Sequence, residues 1–231
     1  MVLRRTLAKR WIKNGEITRP VHIVCSPYKT GTTSVGHALL ALGVGTRAMK
    51  HNRVLLQKIQ PALRDLQKLA DKSQGFRAFH AEHADRVKDE LAELVSCIAP
   101  YDVFQDAPFG HTQIHPFIRK VLAPQARFIW INRARKDWMA SVQHWEETHP
   151  EIYPDHTEWA TNASARRKKM HKFWRRQYRN FKRVRRSGPQ QCLELEWDDL
   201  NDWTALAAFY GVEAPQIDFP KSNVSRGESP E

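Results

Sequence analysis

Two short stretches of this sequence carry residues able to hold phosphate or sulfate. The first is Ser26-Pro27-Tyr28-Lys29-Thr30-Gly31-Thr32-Thr33, which gathers one ammonium, three threonine hydroxyls and a glycine. Val21 to Cys25 before it is a short β-branched run, and Ser34 to Leu42 after it has helical periodicity and stops at Gly43. A loop that enters a helix start presents unpaired backbone N–H groups and the positive end of the helix dipole, which suits an anion. The second stretch begins at Arg133, at the end of an apolar run, and has Ser141 eight residues later. Arginine can fork onto a phosphate, and a hydroxyl two helical turns on can close the other side.

The elements needed to position these groups are legible. Tyr101–Gln105, Arg127–Asn132 and Gln191–Leu195 read as further strands, with a weaker one at Thr46–Met49. Helical patterns cover Val54–Ala70, Ala84–Ile98, the stretch bearing Trp138, Val142 and Trp145, Trp159–Arg186, and Asp199–Tyr210. Apolar strands separated by helices predict an α/β fold: three layers, α/β/α, around a central parallel sheet. Such sheets bind ligands beyond the carboxyl ends of their strands. Ser26–Thr33, Asp106–His111 and the residues from Arg133 onward all follow strands directly. Set on the nucleotide-triphosphatase P-loop, Gly31 and Thr33 match, Ser26 replaces the first glycine, and Thr32 stands where the lysine belongs. The anion cradle is kept, and the lysine is displaced to Lys29.

With these residues in place, the chain resembles the sulfotransferases that use 3′-phosphoadenosine 5′-phosphosulfate (PAPS). Their 5′-phosphosulfate loop commonly reads Tyr-Pro-Lys-Ser-Gly-Thr-Thr-Trp. Its lysine falls on Lys29, its serine on Thr30, and its Gly-Thr-Thr on Gly31, Thr32 and Thr33. Ser34 takes the place of a tryptophan that often stacks on adenine, so adenine must be held differently. The family's 3′-phosphate motif falls on Arg133 and Ser141. Leu193–Leu200 and Ala207–Gly211 are similar to its late strand and helix, and Pro220 and Asn223 to its closing Pro-x-x-Asn. The likeness spans about Val21 to Asn223. It is loose over Leu55–Pro100, and the late Arg-Lys-Gly loop of many members is not evident.

The resemblance implies a P-loop-type fold and transfer of a sulfuryl group from PAPS to a hydroxyl or amine. Lys29 would stabilise charge on the leaving oxygen, and Lys29 to Ser34, Arg133 and Ser141 would bind the donor. No metal is required. The acceptor proton needs a base, and Asp106 occupies the position where many members carry histidine. A carboxylate can serve if burial raises its pKa, and His111 is the second candidate. Metal binding has weak support, since His80 with His83, or His111 with His115, lacks a third ligand at recognisable spacing.

Composition bounds the alternatives. The 231 residues carry 37 Lys and Arg against 25 Asp and Glu, a net charge of +12. Twelve of those cations lie between Arg166 and Arg186 with no acid among them, which leaves 25 of each sign elsewhere. The basic segment has Met170, Phe173, Trp174, Phe181 and Val184 at helical spacing, so its aromatics are expected to be buried and not free to stack on bases. It is therefore either a solvated face or a surface for an anionic glycan, a membrane or the donor, with no specific nucleic acid implied. No stretch approaches the ~18 apolar residues of a spanning helix. Cys25, Cys97 and Cys192 are few and scattered, which fits a cytoplasmic location. The expected organisation is one domain over 1–231, with an extension at 1–20, a helical acceptor-side region at 52–100 and a basic helix at 157–186. Small molecules or glycans, anionic ones among them, are the expected acceptors. Two other readings are kept: a Mg-ATP or Mg-GTP kinase or hydrolase, and a non-enzymatic anion-binding module.

Overall fold

The structure is a computed structural model that describes residues 12–13, 16–17, 19–49, 100–105, 109–110, 115–119 and 123–222, with positions 54, 57, 61, 65, 68, 72, 78, 81 and 82. Strands β1 (Ile12–Lys13) and β2 (Glu16–Ile17) form a small antiparallel pair. The main elements follow as β3 (His22–Val24), α1 (Thr32–Ala41), β4 (Ala48–Met49), β5 (Val103–Phe104) and the single turn α2 (His115–Phe117). After them come β6 (Arg127–Asn132), α3 (Arg135–Thr148), α4 (Glu158–Thr161), α5 (Ala163–Ser187), β7 (Cys192–Glu196) and α6 (Thr204–Tyr210).

The five main strands form one sheet in the order β4-β5-β3-β6-β7, and every pairing is parallel. The expected fold class is borne out, and the weak Thr46–Met49 signal is the edge strand β4. Parallel strands need crossovers, and these put helices on both faces. Along β6, Phe128 and Trp130 face one core with Trp138, Trp174, Phe181 and Val184 of α3 and α5. Ile129 and Ile131 face the other, with Val35 and Leu39 of α1 and Leu206 of α6. That alternation is the period of two that a strand covered on both sides requires.

Four local details depart from expectation, the first being that the helix expected over Asp199–Tyr210 begins at Thr204, after a 3-10 turn at Trp197–Asp199. The strand expected over Tyr101–Gln105 narrows to Val103–Phe104; beside it, the Asp102 side chain accepts hydrogen bonds from the backbone N–H groups of Thr46 and Arg47 and ties β5 to the chain entering β4. The helix expected over Trp159–Arg186 is broken at Asn162 (φ −153°, ψ 60°), whose side chain accepts from the Ala165 N–H and caps α5. Arg166, counted with the basic outer face, is 4% exposed and paired inside the protein.

Candidate active site

β3 is the pivot of the sheet. The chain passes from β3 to β4 and β5 on one side, then crosses to β6 on the other. The crevice at such a reversal, beyond the carboxyl ends of the strands, is where open α/β sheets bind ligands. The Ser26–Gly31 loop leaves β3 here, and Arg133 leaves β6 beside it.

Hydrogen bonds to backbone carbonyls hold the loop open. Thr30 Oγ1 donates to the Pro27 carbonyl at 2.6 Å, Trp138 Nε1 to that of Tyr28 at 2.8 Å, and Arg133 Nη1 to that of Lys29 at 2.7 Å. Lys29 has φ 64°, the one positive value at a non-glycine residue among the described residues. Left-handed backbone costs an L-residue about 1–2 kcal/mol, so the fold holds this lysine in a conformation the chain does not favour. Gly31 follows at φ 82° as the residue before α1. A Cβ there would come within 2.8 Å of Leu200 Cδ1 and 2.9 Å of Trp197 Cζ3. Glycine is required for both conformation and space.

The start of α1 fits an anion. It has no side-chain cap and no acid in its first turn. The buried Ser26 hydroxyl has no hydrogen-bond partner among the described residues, and neither does Arg133 Nε. Thr30 spends its hydroxyl on the loop itself. Ser34 Oγ accepts from the Ser222 N–H, tying the late chain to the first turn of α1. Thr32 is buried and Thr33 half-buried, while Ser141 is half-buried two turns into α3. Asp106, His111, His80 and His83 lie outside the described residues. His115 is buried and donates from Nε2 to the Phe109 carbonyl.

Two tryptophans stand at the cations, and the sequence reading assigned neither to the site. Lys29 Nζ lies 4.1 Å from the centroid of the Trp145 ring, and Arg133 Cζ lies 4.1 Å from that of Trp197. Both contacts are at cation–π distance. Burial, then the charge of Arg133, lowers the Lys29 pKa. Burial also lowers that of Arg133, against an opposing pull from Asp137. Trp197 directly follows β7, so the strand-end rule that picked out Arg133 could have found it. Trp145 had no comparable signal.

Behind the loop sits a second missed cluster. Glu146 is fully buried and binds Arg166 through both oxygens, at 2.7 and 2.8 Å to Nη2. It also accepts from Trp159 Nε1 at 2.7 Å and from the Tyr28 hydroxyl at 2.6 Å. Burial, followed by the Glu146 hydrogen bond, raises the Tyr28 pKa, so its hydroxyl stays a donor. The residue before the displaced lysine is thus anchored to the first turns of the basic helix.

With this geometry established, the comparisons identify the class. Residues 23–227 match the sulfotransferase domain family, and the chain belongs to it. A comparison with curated proteins returns no match. Among solved structures, the chain is similar to the sulfotransferase domain from the Synechococcus PCC 7002 olefin synthase. The TM-score is 0.51 at 16% identity, covering 86% of this chain and 75% of that one. At that identity the likeness speaks for the fold.

Proposed function

We propose that this sulfotransferase uses PAPS and moves its sulfuryl group to a hydroxyl or amine of a small-molecule or glycan acceptor. The observation that carries the reading is the convergence of Lys29, the uncapped start of α1 and Arg133 at the reversal of the sheet. PAPS supplies an activated sulfur–oxygen bond. Transfer forms a bond from sulfur to the acceptor and breaks the one to the 5′-phosphate oxygen.

The protein's part is positioning and electrostatics, as in phosphoryl transfer. Backbone N–H groups of Gly31 to Thr33 hold the 5′-phosphate, with Thr30, Ser34 and the Ser26 hydroxyl lining the same turn. Lys29 neutralises charge on the leaving oxygen. Arg133 and Ser141 hold the 3′-phosphate. Trp197, beside Gly31 and under Arg133, offers the aromatic face that Ser34 cannot. Asp106 or His111 accepts the acceptor proton. No metal is assigned. The buried thiol of Cys25 and the half-buried one of Cys192 are free, which supports a reducing, cytoplasmic setting.

The kinase or hydrolase reading has less support, because Thr32 fills the P-loop lysine position and is buried. Calorimetry of the product nucleotide, 3′-phosphoadenosine 5′-phosphate (PAP), tests the proposal. Binding without Mg²⁺ is expected; its absence, with tight Mg-ATP binding instead, overturns it.

A further inference from the structure

The basic helix keeps a structural feature that sulfuryl transfer does not use. α5 buries Met170, Trp174, Gln177, Phe181 and Val184, at spacings of four, three, four and three. At 100° per residue, the line opposite runs through Lys168, Lys172, Arg175, Arg179, Arg183 and Arg186, each within about 40° of it. All six are exposed. At a rise of 1.5 Å per residue, they form a cationic ridge about 27 Å long. The acids near α5 are committed elsewhere: Glu146 to Arg166, Asp155 and Glu158 to Arg166 and Lys169, and Glu194 to Arg185. Among the described residues, no carboxylate pairs with any of the six ridge cations.

We infer that this ridge docks the enzyme on an anionic membrane surface. The cations stand out from the protein body along one straight line, with the helix's own apolar side turned to the core. A plane of negative headgroups can meet all six at once, without a groove. Each Lys or Arg held near such a surface contributes about 1 kcal/mol. A flexible polyanion would have to be straightened along the ridge at an entropic cost. Nucleic acid would find no free stacking face, since Trp174 and Phe181 are buried and Phe173 and Tyr178 pack against the core. The helix exposes no large apolar side chain, because the exposed ones among the described residues are Val54, Ile152, Val212 and Ile217. Attachment is therefore electrostatic, without insertion, and is screened by salt. The inference is independent of the donor, since none of the six residues belongs to the candidate site.

Co-sedimentation of the full chain with vesicles tests it, using phosphatidylcholine alone and phosphatidylcholine mixed with phosphatidylglycerol. The partner variant carries glutamine at all six positions, a change that keeps helix propensity; its fold is checked by circular dichroism and thermal melting. Binding to the phosphatidylglycerol vesicles alone, released by high salt and weakened roughly 100-fold or more in the variant, supports the proposal. It is overturned by absent vesicle binding, or by equal binding of the folded variant. Ridge-dependent binding to heparin or duplex DNA that exceeds binding to the vesicles also overturns it.

Discussion

Arg133 donates a 2.7 Å hydrogen bond to the backbone carbonyl of Lys29, so one candidate donor-binding cation fixes the turn that presents the other. The two residues are 104 positions apart and meet because β3 and β6 are neighbours. Arg133 thus shapes the loop with Nη1, while its buried Nε has no hydrogen-bond partner among the described residues.

Replacing Arg133 removes that loop hydrogen bond together with the cation. Arg133→Ala is expected to weaken PAP binding by about 10- to 100-fold, the worth of one charge-assisted contact. Arg133→Lys should recover little, because an ammonium cannot fork or lie flat on Trp197. Calorimetric titration reads both variants.

Gly31→Ala brings a Cβ against Trp197 and Leu200 in left-handed backbone. A loss of about 1–3 kcal/mol in folding stability is expected, together with loss of PAP binding. Urea melts and calorimetry on the same sample separate the two effects.

The lowered Lys29 pKa gives a pH signature. An anion needs the ammonium, so PAP affinity should fall as pH rises through that pKa. The fall begins at lower pH than for a lysine at the ordinary value of 10.5. Lys29→Arg stays charged throughout and should lose this alkaline limb, whatever its affinity at neutral pH.

Glu146→Gln removes the buried counter-charge of Arg166 and leaves it only the more exposed Asp155 and Glu158, each at 3.3 Å. Breaking a buried pair in this way costs about 3–5 kcal/mol. Replacing both partners by apolar residues, as in Glu146→Leu with Arg166→Met, should recover part of that stability, less about 1–3 kcal/mol for each of the Trp159 Nε1 and Tyr28 hydroxyl donors that loses its acceptor. Denaturant midpoints that fall little in Glu146→Gln would show that the pair is not structural.

His22 couples stability to acid. Its Nε2 donates to the Val44 carbonyl and its Nδ1 shares a hydrogen bond with the Tyr210 hydroxyl, in a buried setting that favours the neutral ring. Burial lowers its pKa below the ordinary 6.5. The unfolded chain therefore binds the proton more readily, and stability is full above 6.5 and lost as pH falls below it. His22→Gln should flatten this acid limb in thermal melts taken across that range.

Local order along the chain was enough to place the candidate anion-holding residues at strand ends. β-branched runs followed by Lys29-Thr30-Gly31-Thr32-Thr33, or ending at Arg133, mark strand ends, and strand ends are where a parallel sheet binds ligands. The helical pattern of the basic segment likewise gave its buried line through Trp174 and Phe181, because a 3.6-residue period is a local property. Tertiary structure decided what those residues touch. Spacing along the chain does not encode the strand order β5-β3-β6-β7, and that order brings Lys29, Arg133 and Trp197 together. It also required the fold to bury Arg166 against Glu146 while six cations on the same helix have no carboxylate partner among the described residues. A lone arginine in a basic run looks like its neighbours until a buried carboxylate is placed beside it.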